Sequence, residues 1–107
     1  MAFVYLLGTS RQDNVYKIGM TRGDIEKRIK QLQTGNDEEI YMLNSFKTKY
    51  PFFIERSLHL KFCPKNKRNE WFELEIEEVG KFKEYCTLFE ENAKALEDNS
   101  FAKNILK

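Results

Sequence analysis

The chain opens on an unbroken apolar run, Phe3-Val4-Tyr5-Leu6-Leu7, that stops at Gly8. Its β-branched and aromatic members predict a strand. A polar stretch holding the turn-prone pair Asp13-Asn14 leads into a second run, Val15-Tyr16-Lys17-Ile18-Gly19-Met20. Two strands with so short a polar link predict a β-hairpin. The period then changes. Ile25, Ile29 and Leu32 fall on one face of a helix, with Asp24 placed to cap its start and Gly35-Asn36 to end it. Residues 40–50 return to strand character, with Ile40, Met42 and Leu43 expected inside. Pro51 stands where a helix begins, Phe53, Ile54, Leu58 and Phe62 form its stripe, and Cys63-Pro64 closes it. After a basic loop at residues 65–69, Trp71-Phe72-Glu73-Leu74 reads as a brief strand or turn, its two aromatics plugging the core. Ile76, Val79, Phe82, Phe89 and Leu96 suit one long helix or a broken pair. The order β-β-α-β-α-(β)-α is that of a mixed α/β domain, with no repeat or linker.

A length of 107 residues supports one core and not two. With 41% apolar and 33% charged residues the chain is globular and not disordered. No run approaches the roughly 20 apolar residues of a membrane span. The apolar start lacks a basic flank, so it is expected to be a first strand, not a signal peptide. Cys63 and Cys86 have no metal-ligand spacing and are expected to be free thiols in a reducing cytoplasm. Charge is uneven: residues 1–69 hold 13 Lys and Arg against 7 Asp and Glu, and residues 70–107 hold 5 against 10. The basic part is compatible with a polyanionic partner and the acidic part is not a phosphate-binding surface, although ordinary solvated faces carry such charges too.

Candidate chemistry sits in the basic part. If the first two strands form one hairpin, Tyr5 and Tyr16 can present two phenols on one face. A phenol titrates near pH 10 and is a poor base unless positive charge lowers that value; Lys17, Arg22 and Arg28 are the candidates to do so. Strand tyrosines also commonly just pack at a sheet edge. Arg28 flanks the apolar face of the first helix, where it can reach the sheet and clamp phosphate. Glu55 and His59, four apart on the second helix, share one face that borders the core. Glu55 can serve as the single carboxylate ligand of Mg²⁺, and His59 as a second polar group, although a lone histidine is more often structural. Asn69 or Glu70 can border the site, and the Trp-Phe pair can stack on bases.

These residues resemble the GIY-YIG nuclease superfamily, and most of all its compact branch named after a phage T5 open reading frame and grouped with a fission-yeast meiotic protein. The matching pieces are Val4-Tyr5-Leu6, Tyr16-Lys17-Ile18-Gly19-Met20-Thr21, Arg28, Ile54-Glu55-Arg56-Ser57-Leu58-His59 and Glu70-Trp71-Phe72. The resemblance implies an α+β domain with a three-stranded antiparallel sheet flanked by helices. Its core would span residues 1–80, with residues 81–107 a helical extension packed on the same domain. It implies DNA phosphodiester hydrolysis with one Mg²⁺ or Mn²⁺ held by Glu55. Tyr5, Tyr16, Arg28 and Glu55 would be catalytic, and Lys17, Arg22, His59 and Asn69 the substrate contacts. Arg28 would stabilise phosphoryl charge; one tyrosine would help deprotonate the water and the other would position it or the leaving group. DNA is the expected partner, with a recruiting protein or a homodimer beside it and no membrane. The setting would be cytoplasmic, or nuclear or host cytoplasm for a virus, in a phage or mobile element. The first motif lacks the glycine-isoleucine pair and the second carries an extra Lys17. Without a separate recognition domain, sequence specificity would be weak or borrowed. Two other readings remain: a non-catalytic module of this fold that holds nucleic acid or protein, and an interaction domain whose acidic C-terminal helix docks a partner.

Overall fold

The first apolar run becomes β1 (Ala2–Thr9), a strand with a core on each side. Alternation along the strand sends Val4 and Leu6 to one face and Tyr5 and Leu7 to the other, and all four are almost wholly buried. The computed structural model describes residues 2–10, 12–35 and 38–98. β1 is flanked by antiparallel partners, β2 (Gln12–Thr21) on one side and β3 (Ile40–Thr48) on the other.

The sheet does not stop at the three strands the resemblance implies. Among the described residues it has five, in the order β3-β1-β2-β5-β4. The stretch expected to be a basic loop supplies β4 (Asn66–Arg68), and the Trp-Phe stretch supplies β5 (Trp71–Glu73). Between them Asn69 adopts φ 48°, a left-handed turn conformation that asparagine tolerates better than most residues. The free edge of β2 would otherwise present unpaired peptide groups, and β5 satisfies them antiparallel from Val15 to Lys17. The domain remains α+β, with all strand pairs antiparallel.

One helix covers one face. α1 (Ile25–Thr34) starts at Asp24, whose side chain accepts from the Lys27 amide at 3.1 Å. It packs Ile25, Ile29 and Leu32 on Tyr5, Leu7 and Ile40. The opposite face carries the larger core. There α2 (Pro51–Lys61) and α4 (Phe82–Glu97) bring Ile54, Leu58, Phe82, Cys86 and Ala93 against Val4, Leu6, Tyr16, Ile18 and Phe72. Pro51 begins α2 as expected. A 3-10 turn, Cys63–Lys65, follows it, and α3 (Ile76–Gly80) opens with a Glu75–Glu78 capping box. The C-terminal stripe is thus a broken pair of helices. Thr48 ties α4 to the corner after β3. Its hydroxyl accepts from the Tyr50 amide at 3.0 Å and donates to Glu90 at 2.9 Å, and the Tyr50 hydroxyl donates to Glu97.

Of the positions expected inside β3, only Ile40 is buried. Met42 and Leu43 are 45% and 44% exposed. The pairing of β1 with β3 shifts register between Leu6 and Leu7, which breaks the simple alternation, and β3 is an edge strand. Trp71 is half-buried whereas Phe72 is core. Both cysteines are free, Cys63 exposed and Cys86 buried; burial pushes the Cys86 thiol up to about 12, so it stays an uncharged core residue. Among the described residues no helix is long and apolar enough to cross a membrane.

Candidate active site beside β2

The register of the first hairpin decides which side chains share a face. Tyr5 pairs with Gly19 and Leu7 with Lys17. Directly paired residues point the same way, so Lys17 and Gly19 lie on the Tyr5 face. Tyr16 pairs with Gly8 and points to the other face, into the core beneath α2 and α4. The expectation that the two phenols share one face is therefore corrected. In this register odd residues pair with odd, so an odd-numbered and an even-numbered tyrosine must face opposite ways. Tyr16 instead donates its hydroxyl to the Asp13 carbonyl at 2.8 Å and raises its own pKa by burial. The structure gives it a packing role.

Tyr5 is 1% exposed and its ring crosses β2 over Gly19. A Cβ at position 19 would lie 2.6 Å from the Tyr5 hydroxyl oxygen, so glycine is required by close approach. From α1, Arg28 donates a long hydrogen bond, 3.5 Å from Nε, to the same hydroxyl. Burial raises the Tyr5 pKa above the ordinary phenol value, and the opposing pull of Arg28 is smaller. Lys17 stands on the same face, its ammonium 3.9 Å from Glu70 and 5.8 Å from the centre of the Trp71 ring.

The pairing of β5 with β2 ends in a hydrogen bond from the Ile18 amide to the Glu70 carbonyl, 3.1 Å. The Ile18 carbonyl faces Nε2 of His59 at 2.8 Å. A carbonyl only accepts, so Nε2 carries the proton. The imidazole also rests on Phe72, ring centres 5.0 Å apart. At this point the donor atoms of Glu55, His59 and Glu70 lie within 4.8 Å of one another. Burial, followed by the Glu70 charge, raises the Glu55 pKa, while His59, Lys17 and Arg28 pull it back. The same two carboxylates act on Tyr5 and Arg28 from a distance. Side chains from both faces of the sheet therefore meet around the edge of β2: Tyr5, Lys17 and Arg28 from the α1 side, Glu55 and His59 from α2, and Glu70 from the turn before β5.

A family model described as the T5orf172 domain matches residues 2–87. The chain belongs to the T5orf172 domain family. All six converging side chains lie inside the matched span, and the family is the compact branch that the motifs resemble. No curated protein and no solved structure matches this T5orf172 domain.

Not every expected residue joins the site of the T5orf172 domain. Arg22 is exposed in the loop between β2 and α1. Asn69 is an exposed turn residue whose carbonyl accepts from Asn66 at 2.8 Å; it lines a groove of about 430 Å³ that also touches Arg56, His59 and Phe72. Glu70, expected only to border the site, is a full member. Its signal was its place immediately before the Trp71-Phe72 strand, which delivers it to the β2 edge. Chemically, the arrangement offers two cations for an anion, two carboxylates and an imidazole for a cation, and one phenol between them.

Proposed function

We propose that this T5orf172 domain is a divalent-metal-dependent endonuclease that hydrolyses DNA phosphodiester bonds with weak intrinsic sequence specificity. The observation that carries the reading is the meeting of Arg28, Lys17 and Tyr5 with the carboxylates of Glu55 and Glu70 beside the end of β2 that extends past β5. Cations and carboxylates placed so close together suit a substrate that is itself an anion and a cofactor that is itself a cation.

The residues present fit a metal ion. Glu55 is half-buried, faces a second carboxylate and makes no ion pair or hydrogen bond among the described residues. A cation there would relieve the crowding of charge, and Glu55 would hold it. Mg²⁺ or Mn²⁺, when bound, supplies Lewis-acid stabilisation of phosphoryl charge and acidifies a water. Arg28 offers its guanidinium to the non-bridging phosphate oxygens, and Lys17 adds a second positive charge on the same side. Tyr5 enters as a phenol, because burial keeps its proton on, and it orients the attacking water through its hydroxyl. Tyr16 takes no part.

Incubation with supercoiled plasmid tests the proposal, in Mg²⁺, Mn²⁺ and EDTA and beside Glu55→Ala. Metal-dependent nicking that disappears in EDTA and in the variant supports it. No nicking in either metal by the folded protein replaces it with a non-catalytic nucleic-acid or protein binding module of the same fold.

A further inference from the structure

We infer that the metal position is a three-donor pocket formed by Glu55, Glu70 and Nδ1 of His59, and that it prefers Mn²⁺-like transition ions over Mg²⁺. The inference rests on the endonuclease reading for its biological use, and extends it from one carboxylate ligand to a mixed set.

Three features lead to this donor set. The first is spacing: one donor atom from each residue, a ring nitrogen in the case of His59, lies within 4.8 Å of the others, close enough for small side-chain movements to bring the three to a single ion. The second is the tautomer of His59. Its Nε2 proton is committed to the Ile18 carbonyl, which in the neutral ring leaves a lone pair on Nδ1. A metal-binding histidine characteristically gives its other N–H to a carbonyl or carboxylate, and the Ile18 carbonyl fills that place here. The third is preorganisation. The amide of Ile18 binds the backbone of Glu70 and its carbonyl binds His59, so one peptide position anchors two of the three donors. Phe72 supports the imidazole from beneath.

The donor chemistry sets the preference. Mg²⁺ favours oxygen donors and retained waters, whereas an imidazole suits transition ions. The two carboxylates suit Mn²⁺ and Mg²⁺ alike, and the imidazole, a donor for first-row transition ions that Mg²⁺ accepts poorly, tips the set toward Mn²⁺ over Mg²⁺.

Direct binding tests this without reference to turnover. Mn²⁺ is titrated into the full chain and followed by the loss of the free-ion paramagnetic resonance signal, with Mg²⁺ as competitor. Two variants are compared with the parent: Glu70→Gln, and His59→Gln, whose amide can still donate to the Ile18 carbonyl but which lacks Nδ1. Circular dichroism and urea midpoints establish that each is folded. The expected result is Mn²⁺ binding at least about tenfold tighter than Mg²⁺. Each variant should weaken Mn²⁺ by about tenfold or more, the lower end of what losing even an outer partner of a metal ligand costs. His59→Gln should also shrink the Mn²⁺ preference. Unchanged Mn²⁺ affinity in either folded variant, or equal affinity for the two ions, overturns the inference. The plasmid assay run alongside separates the two ideas. Nicking that needs Glu55, with Mn²⁺ affinity indifferent to Glu70 and His59, removes this inference alone. The expected Mn²⁺ binding with no nicking removes the endonuclease reading and leaves the metal pocket standing.

Discussion

Replacing Gly19 by alanine tests the packing that holds Tyr5 over β2. The new Cβ would lie 2.6 Å from Cζ and Oη of Tyr5 and 2.7 Å from Cε1. Carbon atoms pack best at about 3.5–4.0 Å, so the ring must move by roughly 1 Å. Tyr5 is almost wholly buried and has Leu7, Ile40 and the apolar side of α1 around it, which leaves it no solvent to swing into. Overpacking of this kind costs about 1–3 kcal/mol. Gly19 has no positive φ, so alanine also removes unfolded-state freedom worth about 0.4–1 kcal/mol in the opposite direction. The net expectation is a loss of about 1–2 kcal/mol, with about 4–8 °C of Tm for each kcal/mol in a domain near this size. Urea unfolding followed by circular dichroism measures it, and the cycle is closed with Tyr5→Ala. Without the ring, Gly19→Ala should be neutral or stabilising, giving a coupling of about 1–3 kcal/mol. An equal cost of Gly19→Ala in both backgrounds, or a stabilised single variant, would refute the reasoning.

Tyr16→Phe should keep plasmid nicking near the parental rate while losing about 1 kcal/mol of stability with its bond to the Asp13 carbonyl; Tyr5→Phe should show the reverse balance, and equal nicking defects in the two would contradict the assignment of faces. Because burial and Glu70 raise the Glu55 pKa, the metal-free folded chain holds that proton more tightly than the unfolded chain does. Ionised Glu55 therefore costs stability at neutral pH, and the cost fades as pH falls through the raised value. Glu55→Gln should accordingly raise the urea midpoint at pH 7 while abolishing nicking, with the gain gone near pH 4, about the ordinary glutamate value; a gain that persists there would argue against the charge origin. Thr48→Val removes a buried hydroxyl that serves the Tyr50 amide and Glu90 at once, and should cost about 1–3 kcal/mol in the same unfolding measurement; a neutral result would show that α4 is held by its apolar contacts alone.

What could be read from the residues was local. Asp24 as a cap, Pro51 at a helix start and the Ile25, Ile29, Leu32 stripe each depend on neighbours within a turn or two, and each is found where expected. Glu55 and His59 share a helix face by spacing alone, and Arg28 reaches the sheet because it flanks an apolar stripe. The facing of Tyr16 is different in kind. It depends on the parity of the hairpin register, which is set by the turn and by the irregularity between Gly8 and Thr9, neither of which leaves a periodic trace. β4 and β5 are three residues each, too short for alternation to declare itself, so the β4 stretch reads as a basic loop and the β5 stretch only as a brief strand or turn. Glu70 enters the site only through the pairing of β5 with β2, a contact across half the chain. Leu43 is exposed because it is the residue skipped at the register shift, whereas Met42 keeps the alternation from Ile40 and is exposed on an edge strand.

The double anchoring at Ile18 bears on how such a protein is made. His59 and Glu70 are positioned by the two polar groups of one residue in β2, yet Glu70 is emitted from the ribosome some fifty positions later. A nascent chain that has already folded its first hairpin and α1 holds Tyr5, Lys17 and Arg28 but neither carboxylate partner. Only when β5 docks does the last donor arrive. On the endonuclease reading the site is thus incomplete until β5 has been made and docked, and because Phe72 of β5 is part of the main core, completing the site and completing the core are the same event.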